Sequence, residues 1–217
     1  SMYPPCQAAL PPDLRAVLFD LDGTLLDSFS AHFAAYQATF AYFGIATSLE
    51  HLLRVYSPDW LAVYRAMGLA EQHWSEADAI WLAEAARHTP QLFPGAPELL
   101  EALAARFALG LVTSGSSERV RRDLERTGLN GRFKAIITGG DVCQPKPDPE
   151  GLLSALGLLD ITPTQAVFVG DAAADAHMAQ AAGVRFIGIL TQFSGDLPAG
   201  DYPRVHSLPE LAQLFTR

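Results

Sequence analysis

The sequence predicts a doubly wound α/β fold, a Rossmann-like parallel sheet, with an inserted α-helical domain. Three observations predict it. Short, continuous apolar runs recur along the chain, as in strands buried on both faces. Helical patterns separate the later runs, which is the rhythm of strand–helix–strand units. One gap is too long for such a unit: it needs roughly 30 residues, yet more than 90 lie between the end of the first run at Asp20 and the end of the second at Thr113.

The first run is Ala16-Val17-Leu18-Phe19. The others are 109–112, 135–137, 166–169 and 186–190. Helices are expected over 97–106, where Pro97 suits a first turn, and over 118–127, with Ser116 and Ser117 as N-cap candidates and Gly128 as the stop. Two more are expected over 149–156 and over 173–182, the last closing at Gly183. The gap reads as all helical. Residues 30–43 are amphipathic up to Gly44, Ser48 can cap 49–56, and Asp59 can cap 60–67 before Gly68. Ser75 with Asp78 resembles a capping box for a helix to His88. The expected division is a core of residues 14–28 and 94–217 and a helical cap of residues 29–93. Because the insertion directly follows the strand that carries Asp20, a lid is favoured over decoration.

The 217 residues carry a net charge of −9 with only two lysines, Lys134 and Lys146. A nucleic-acid binder normally presents a basic stripe, so no nucleic-acid partner is expected. Cys6 and Cys143, the only cysteines, make neither a disulfide framework nor a zinc site and read as unpaired thiols. No apolar run approaches the roughly 20 residues that span a bilayer. The first residues show no basic segment followed by an apolar one. The expectation is a cytoplasmic protein without a membrane partner, a monomer or a homodimer.

Ligands of open α/β sheets bind beyond the carboxyl ends of the strands. The first run ends in Asp20-Leu21-Asp22-Gly23-Thr24, and the second in Thr113-Ser114-Gly115-Ser116. Lys146-Pro147 follows the third, and the fourth ends in Gly170-Asp171-Ala172-Ala173-Ala174-Asp175. Four close carboxylates (Asp20, Asp22, Asp171 and Asp175) cannot all ionise cheaply. A hard divalent cation resolves this, and Mg²⁺ takes oxygen ligands from one or two carboxylates, waters and a substrate phosphate. Thr113, Ser114 and Gly115 precede a helix N-terminus, an anion site by dipole and free N–H groups, and Lys146 adds a point charge. The bland readings are solvated acids at strand ends, dipole acids on the last helix, a capping threonine and a loop lysine. The convergence of all four strand ends weighs against them.

Asp20-Leu-Asp-Gly-Thr, Thr113-Ser-Gly, Lys146-Pro147 and Gly170-Asp171-x₃-Asp175, in this order, resemble the four motifs of the haloacid dehalogenase (HAD) superfamily. The similarity extends to the phosphoglycolate phosphatase and β-phosphoglucomutase-like branch, whose helical cap follows the first motif. The resemblance implies that Asp20 attacks phosphorus and forms an aspartyl-phosphate. It implies that Asp22 protonates the leaving oxygen and then deprotonates water. Mg²⁺ would be held by Asp20, the Asp22 backbone carbonyl and Asp171, with Asp175 orienting metal-bound waters or Lys146. Thr113, the Ser114 N–H and Lys146 would hold the phosphoryl oxygens. Many relatives carry Ser or Asn where this chain has Ala172, which puts metal affinity in question.

The expected activity is hydrolysis of a small phosphorylated metabolite. A phosphomutase uses the same nucleophile, and a silent binding module could share the fold. A phosphonate hydrolase is disfavoured because no lysine lies between residues 29 and 93, and the dehalogenase reaction because those relatives lack an acid at the position of Asp22. In the insertion, His32 is a candidate for contact with substrate or nucleophile, and Arg54, Tyr56, Tyr64 and Arg65 for contact with the leaving group. Helix-surface charges and half-buried tyrosines are their commoner explanation. His51, His73 and His88 read as surface, and Trp60, Trp74 and Trp81 as packing the insertion.

Overall fold

The computed structural model describes residues 10–57, 59–191 and 197–216; Cys6 and the first nine residues lie outside them. Ala16–Phe19 (β1), Ala108–Val112 (β4), Ala135–Ile137 (β5), Ala166–Gly170 (β6), Arg185–Ile189 (β7) and Arg204–Val205 (β8) form one six-stranded sheet in the order β5-β4-β1-β6-β7-β8. All its pairings are parallel, and β1 lies between β4 and β6 with Val17 opposite both Leu109 and Val167. The strand order runs outward from β1 in both directions, the doubly wound pattern that opens a crevice at the strand ends. Leu26–Asp27 (β2) and Gln91–Leu92 (β3) form a separate two-stranded sheet.

Alternation along β1 explains its unbroken apolar run. Val17 and Phe19 join Leu109, Leu111, Val167, Val169 and Ile187 in one core layer. Ala16 and Leu18 join Val112, Phe168 and Phe186 in the other. The first layer is covered by Ala96–Ala104 (α5), Ser117–Thr127 (α6) and Leu208–Gln213 (α9), through Leu99, Leu100, Leu103, Val120, Leu124, Leu208 and Leu211. The second is covered by Glu150–Leu159 (α7) and Ala173–Ala182 (α8), through Leu152, Leu156, Met178 and Ala179.

The caps follow the sequence at most helix ends. The Ser116 side chain accepts from the Arg119 N–H, and α6 ends on Gly128 in the left-handed region. Helix α8 likewise ends on Gly183. Elements β8 and α9 had no strong sequence signal, being two and six residues long.

A second compact unit spans Ser28–Gln91. It holds Phe29–Tyr42 (α1), Leu49–Val55 (α2), Trp60–Ala66 (α3) and Trp74–Ala86 (α4). Ser48 and Asp59 cap α2 and α3 through the N–H groups of His51 and Leu61. The Ser75–Asp78 capping box does not form. A 3₁₀ turn over Glu71–His73 runs straight into α4, so Ser75 already lies inside the helix. Asp78 instead accepts a 2.9 Å hydrogen bond from the Tyr64 hydroxyl.

Helix α1 packs against α4, with the Tyr36 ring 5.7 Å from Trp81 and 6.5 Å from the wholly buried Tyr64. Trp74 is half-buried and its Nε1 donates to the Leu69 carbonyl. Trp60 departs from expectation: it is 39% exposed, on the outer side of α3. His88 is exposed, whereas His51 is half-buried and His73 is half-buried against the Phe43 ring. Among the described residues no helix is long and apolar enough to cross a membrane.

Leu100 is fully buried in the first layer and Leu158 is 68% exposed on α7. Leu100→Ala should cost about 3 kcal/mol in urea unfolding, and Leu158→Ala less than about 0.5 kcal/mol. Equal losses would show that the core boundary is misplaced.

Candidate active site

The site is assembled at the carboxyl ends of β1, β4, β5 and β6. At the end of β1 the Asp20 N–H still donates to the Val169 carbonyl, which holds its backbone in the sheet. The Asp20 side chain is turned into the crevice, where its Oδ1 accepts from the Leu21 N–H at 2.8 Å and from Lys146 Nζ at 3.0 Å. Lys146 arrives on the loop beyond β5. Its ammonium also donates to Asp175 Oδ1 at 2.8 Å and stands 5.5 Å over the Phe168 ring, a cation–π distance.

Beyond β6, Asp171 Oδ1 accepts from the Thr24 hydroxyl at 3.1 Å. Asp175 lies in the first turn of α8 and folds back so that Oδ2 accepts from the Ala172 N–H. That reversal needs a bare backbone at Gly170, where a Cβ would stand 2.5 Å from Asp175 Oδ2.

Asp20, Asp171 and Asp175 are all buried, with one carboxylate oxygen from each lying within 4.8 Å of the others. Burial first, then the negative charges of Asp175 and Asp22, push the Asp20 carboxyl up to about 7, with Lys146 opposing. Burial, Asp20 and Asp175 raise Asp171 well above the usual carboxylate range, and the Thr24 hydroxyl opposes. Burial by itself would lower Lys146, but Asp175 and Asp20 raise it above an ordinary lysine. Three carboxylates around one ammonium leave negative charge in excess in a place with little water. This all-oxygen donor set fits a hard divalent cation.

The end of β4 supplies the neighbouring surface. The Thr113 N–H donates to Ile137, and the Thr113 hydroxyl accepts from the Gly115 N–H at 3.2 Å. Ser114 and Gly115 then lead into the N-terminus of α6. The Gly115 carbonyl accepts from the Gly139 N–H, which ties this loop to the one after β5.

Asp22 is held in a way its motif did not announce. Arg119 of α6 donates from Nη1 to Asp22 Oδ1 at 3.1 Å and from Nη2 to Oδ2 at 2.5 Å. Nη1 also donates to Asp123 Oδ2 at 3.2 Å. Arg119 was missed because an arginine on a polar helix reads as surface. The available signal was its position three residues after the N-cap Ser116, in the turn that faces the strand ends.

The candidates in the helical unit are dispersed. His32 is buried, its ring 5.1 Å from that of Trp81. Arg54 is exposed and paired with Glu50 one turn away. Tyr56 is half-buried against Phe29, Tyr64 is bonded to Asp78, and Arg65 lies over the Trp74 ring.

Known proteins resemble this chain. The family model described as haloacid dehalogenase-like hydrolase matches residues 17–189, from β1 to the end of β7. The chain is 31% identical to a phosphoglycolate phosphatase of Yersinia pestis over 205 residues, covering 88% of this chain and 87% of the relative. It is also 31% identical to the pyrophosphatase PpaX of Listeria monocytogenes over 164 residues, covering 73% and 75%. A Lactobacillus plantarum crystal structure, provisionally assigned as a phosphoglycolate phosphatase, superposes with a TM-score of 0.82 at 27% identity, covering 93% of this chain and 99% of that one. With four motif-bearing strand ends meeting around a buried aspartate cluster, the chain belongs to the haloacid dehalogenase-like hydrolases, as a phosphohydrolase of the subfamily that includes phosphoglycolate phosphatases and PpaX.

Proposed function

We propose that this protein hydrolyses a small phosphomonoester with Asp20 as nucleophile, using Mg²⁺, and that residues 29–93 act as a cap that selects the substrate. The observation that carries this reading is the buried Asp20 carboxylate, bonded to Lys146 and clustered with Asp171 and Asp175. Leu21 and Lys146 both donate to Oδ1, which orients the carboxylate, and in this reading Oδ2 is the oxygen that attacks phosphorus. Lys146, Thr113 and the Ser114 N–H receive the phosphoryl oxygens near the start of α6.

As Asp20 attacks phosphorus, the bond from phosphorus to the leaving oxygen breaks, Asp22 gives that oxygen a proton, and an aspartyl-phosphate forms on Asp20. Asp22 then takes a proton from the water that cleaves this acyl phosphate, so the carboxylate is regenerated and phosphate leaves. A magnesium ion held by Asp20, Asp171 and the Asp22 carbonyl would supply the positive charge that keeps Asp20 ionised and offsets the phosphoryl charge. Asp175 acts through Lys146, whose ammonium it shares with Asp20.

The test is phosphate release from a panel of phosphorylated metabolites, phosphoglycolate and sugar phosphates included, with Mg²⁺ and with EDTA. Release should require Mg²⁺ and be concentrated on one or two compounds. Asp20→Asn should abolish it, Asp22→Asn should slow it by about 10²-fold or more, and Asp171→Asn should raise the Mg²⁺ requirement about tenfold or more. An Asp20→Asn protein that turns over at the wild-type rate would refute the mechanism. A sugar 1-phosphate converted to its 6-phosphate, with no phosphate released, would make the enzyme a mutase.

The pH dependence of stability has a definite sign. The folded chain holds a proton on Asp20 more tightly than the unfolded chain does, since its carboxyl is raised from 3.8 to about 7. This contribution to stability is present below the unfolded value and is lost as pH rises through about 7. Mg²⁺ binds the ionised form, so the rise in Tm on adding Mg²⁺ should be larger at pH 8 than at pH 5. Differential scanning fluorimetry with and without EDTA measures it, and an equal rise at both pH values would count against a cation on Asp20.

A further inference from the structure

We propose that Arg119 is a positioning residue that holds the Asp22 carboxyl group in place for proton transfer to the leaving group, its fork taking one lone pair of each oxygen and leaving another to carry the proton; this rests on the role given to Asp22 above. Both terminal nitrogens of the guanidinium engage Asp22, Nη1 with Oδ1 and Nη2 with Oδ2. Such a fork fixes the plane of a carboxylate as well as its position. An aspartate in a loop otherwise rotates among several side-chain wells, and displacement of a reacting group by about an ångström is enough to cost much of its effect.

The fork is itself held rigidly. The Arg119 side chain is only 8% exposed and that of Asp22 15%. Asp123, one helical turn further along α6, accepts from Nη1 and fixes the guanidinium from the other side. Burial by itself would lower the Arg119 pKa, but Asp22 and Asp123 raise it above an ordinary arginine. A guanidinium so placed stays charged.

Gly115 leaves room for this contact. A Cβ there would lie 2.2 Å from Arg119 Nη2 and 3.0 Å from Cζ. The bare backbone in the loop after β4 is therefore what lets the guanidinium reach across from α6 to the loop after β1. A helix-surface arginine would need neither the cleared path nor a half-buried partner 97 residues away in sequence.

The proposal is tested with two esters of unequal need for an acid. p-Nitrophenyl phosphate expels a stable phenolate without a proton, whereas the best alkyl phosphate of the panel needs one. kcat and KM are measured on both for wild type, Arg119→Ala, Arg119→Lys, Asp22→Asn and the double variant Arg119→Ala/Asp22→Asn. Arg119→Ala should lower kcat/KM, which reports only the steps up to departure of the leaving group, by about tenfold or more on the alkyl ester and much less on p-nitrophenyl phosphate, while kcat, which also includes hydrolysis of the shared aspartyl-phosphate, falls on both. The double variant should be no slower than Asp22→Asn alone.

Arg119→Lys keeps the buried charge but not the fork. It covers the case in which the alanine variant does not fold, and should show the same ester-dependent loss at smaller size. Equal losses of kcat/KM on both esters, or losses that multiply in the double variant, would overturn the proposal. If wild type fails on both esters, or Asp20→Asn retains its rate, the phosphatase reading fails instead. Activity that depends on Asp20 but is indifferent to the Arg119 variants refutes the Arg119 role alone.

Discussion

The bond of Lys146 to Asp20 and Asp175 is the interaction on which the site depends. Desolvating isolated charges costs several kcal/mol per ion, and a buried pair recovers this only with good geometry and further hydrogen bonds. Here Asp20 also receives the Leu21 N–H and Asp175 the Ala172 N–H. The lysine thus links the loop after β5 to the ends of β1 and β6, although β5 is an edge strand, separated from β1 by β4. Removing its charge would leave two buried carboxylates facing each other with Asp171 beside them.

A second charged cluster lies next to the first and is built differently. Arg119 sits between Asp22 and Asp123, and all its hydrogen-bond donation to them comes from its two terminal nitrogens. Burial raises Asp123 despite the neighbouring arginine, with Asp22 adding to the rise. The two clusters keep apart the carboxylates read as nucleophile and as acid–base. Asp20 is served by a lysine, a compact charge with rotatable donors, and Asp22 by an arginine whose planar fork sets direction. Such a division gives two aspartates, two residues apart at the end of β1, different surroundings.

The helical unit follows another logic. Its interior is aromatic, built from Phe29, Phe33, Tyr36, Phe40 and Tyr64 with Trp81 beside them. The Tyr64 hydroxyl is satisfied by Asp78 and the Trp74 indole by a backbone carbonyl. Polar residues that looked available for a ligand are in part committed to holding these helices together. Arg54 is committed to Glu50.

The sequence by itself determined the sheet and which charged side chains stand at the ends of its strands. Strands buried on both faces must be continuously apolar, so β1, β4 and β6 were visible as runs, and ligand groups at their carboxyl ends follow from where a doubly wound sheet opens. Asp20, Asp171, Asp175 and Lys146 were legible because carboxylates and a rare lysine at strand ends have few structural uses. Tertiary structure alone decided the rest. Elements β8 and α9 are too short to show a period. The Ser75–Asp78 box gave way to a 3₁₀ entry into α4, and Trp60 turned outward, because neighbours along the chain settle such choices less than packing does. The pairing of Arg119 with Asp22 joins residues 97 apart. Local sequence records which groups can form such a bond, and only the folded sheet, with α6 rising beside β1, brings them within hydrogen-bonding distance.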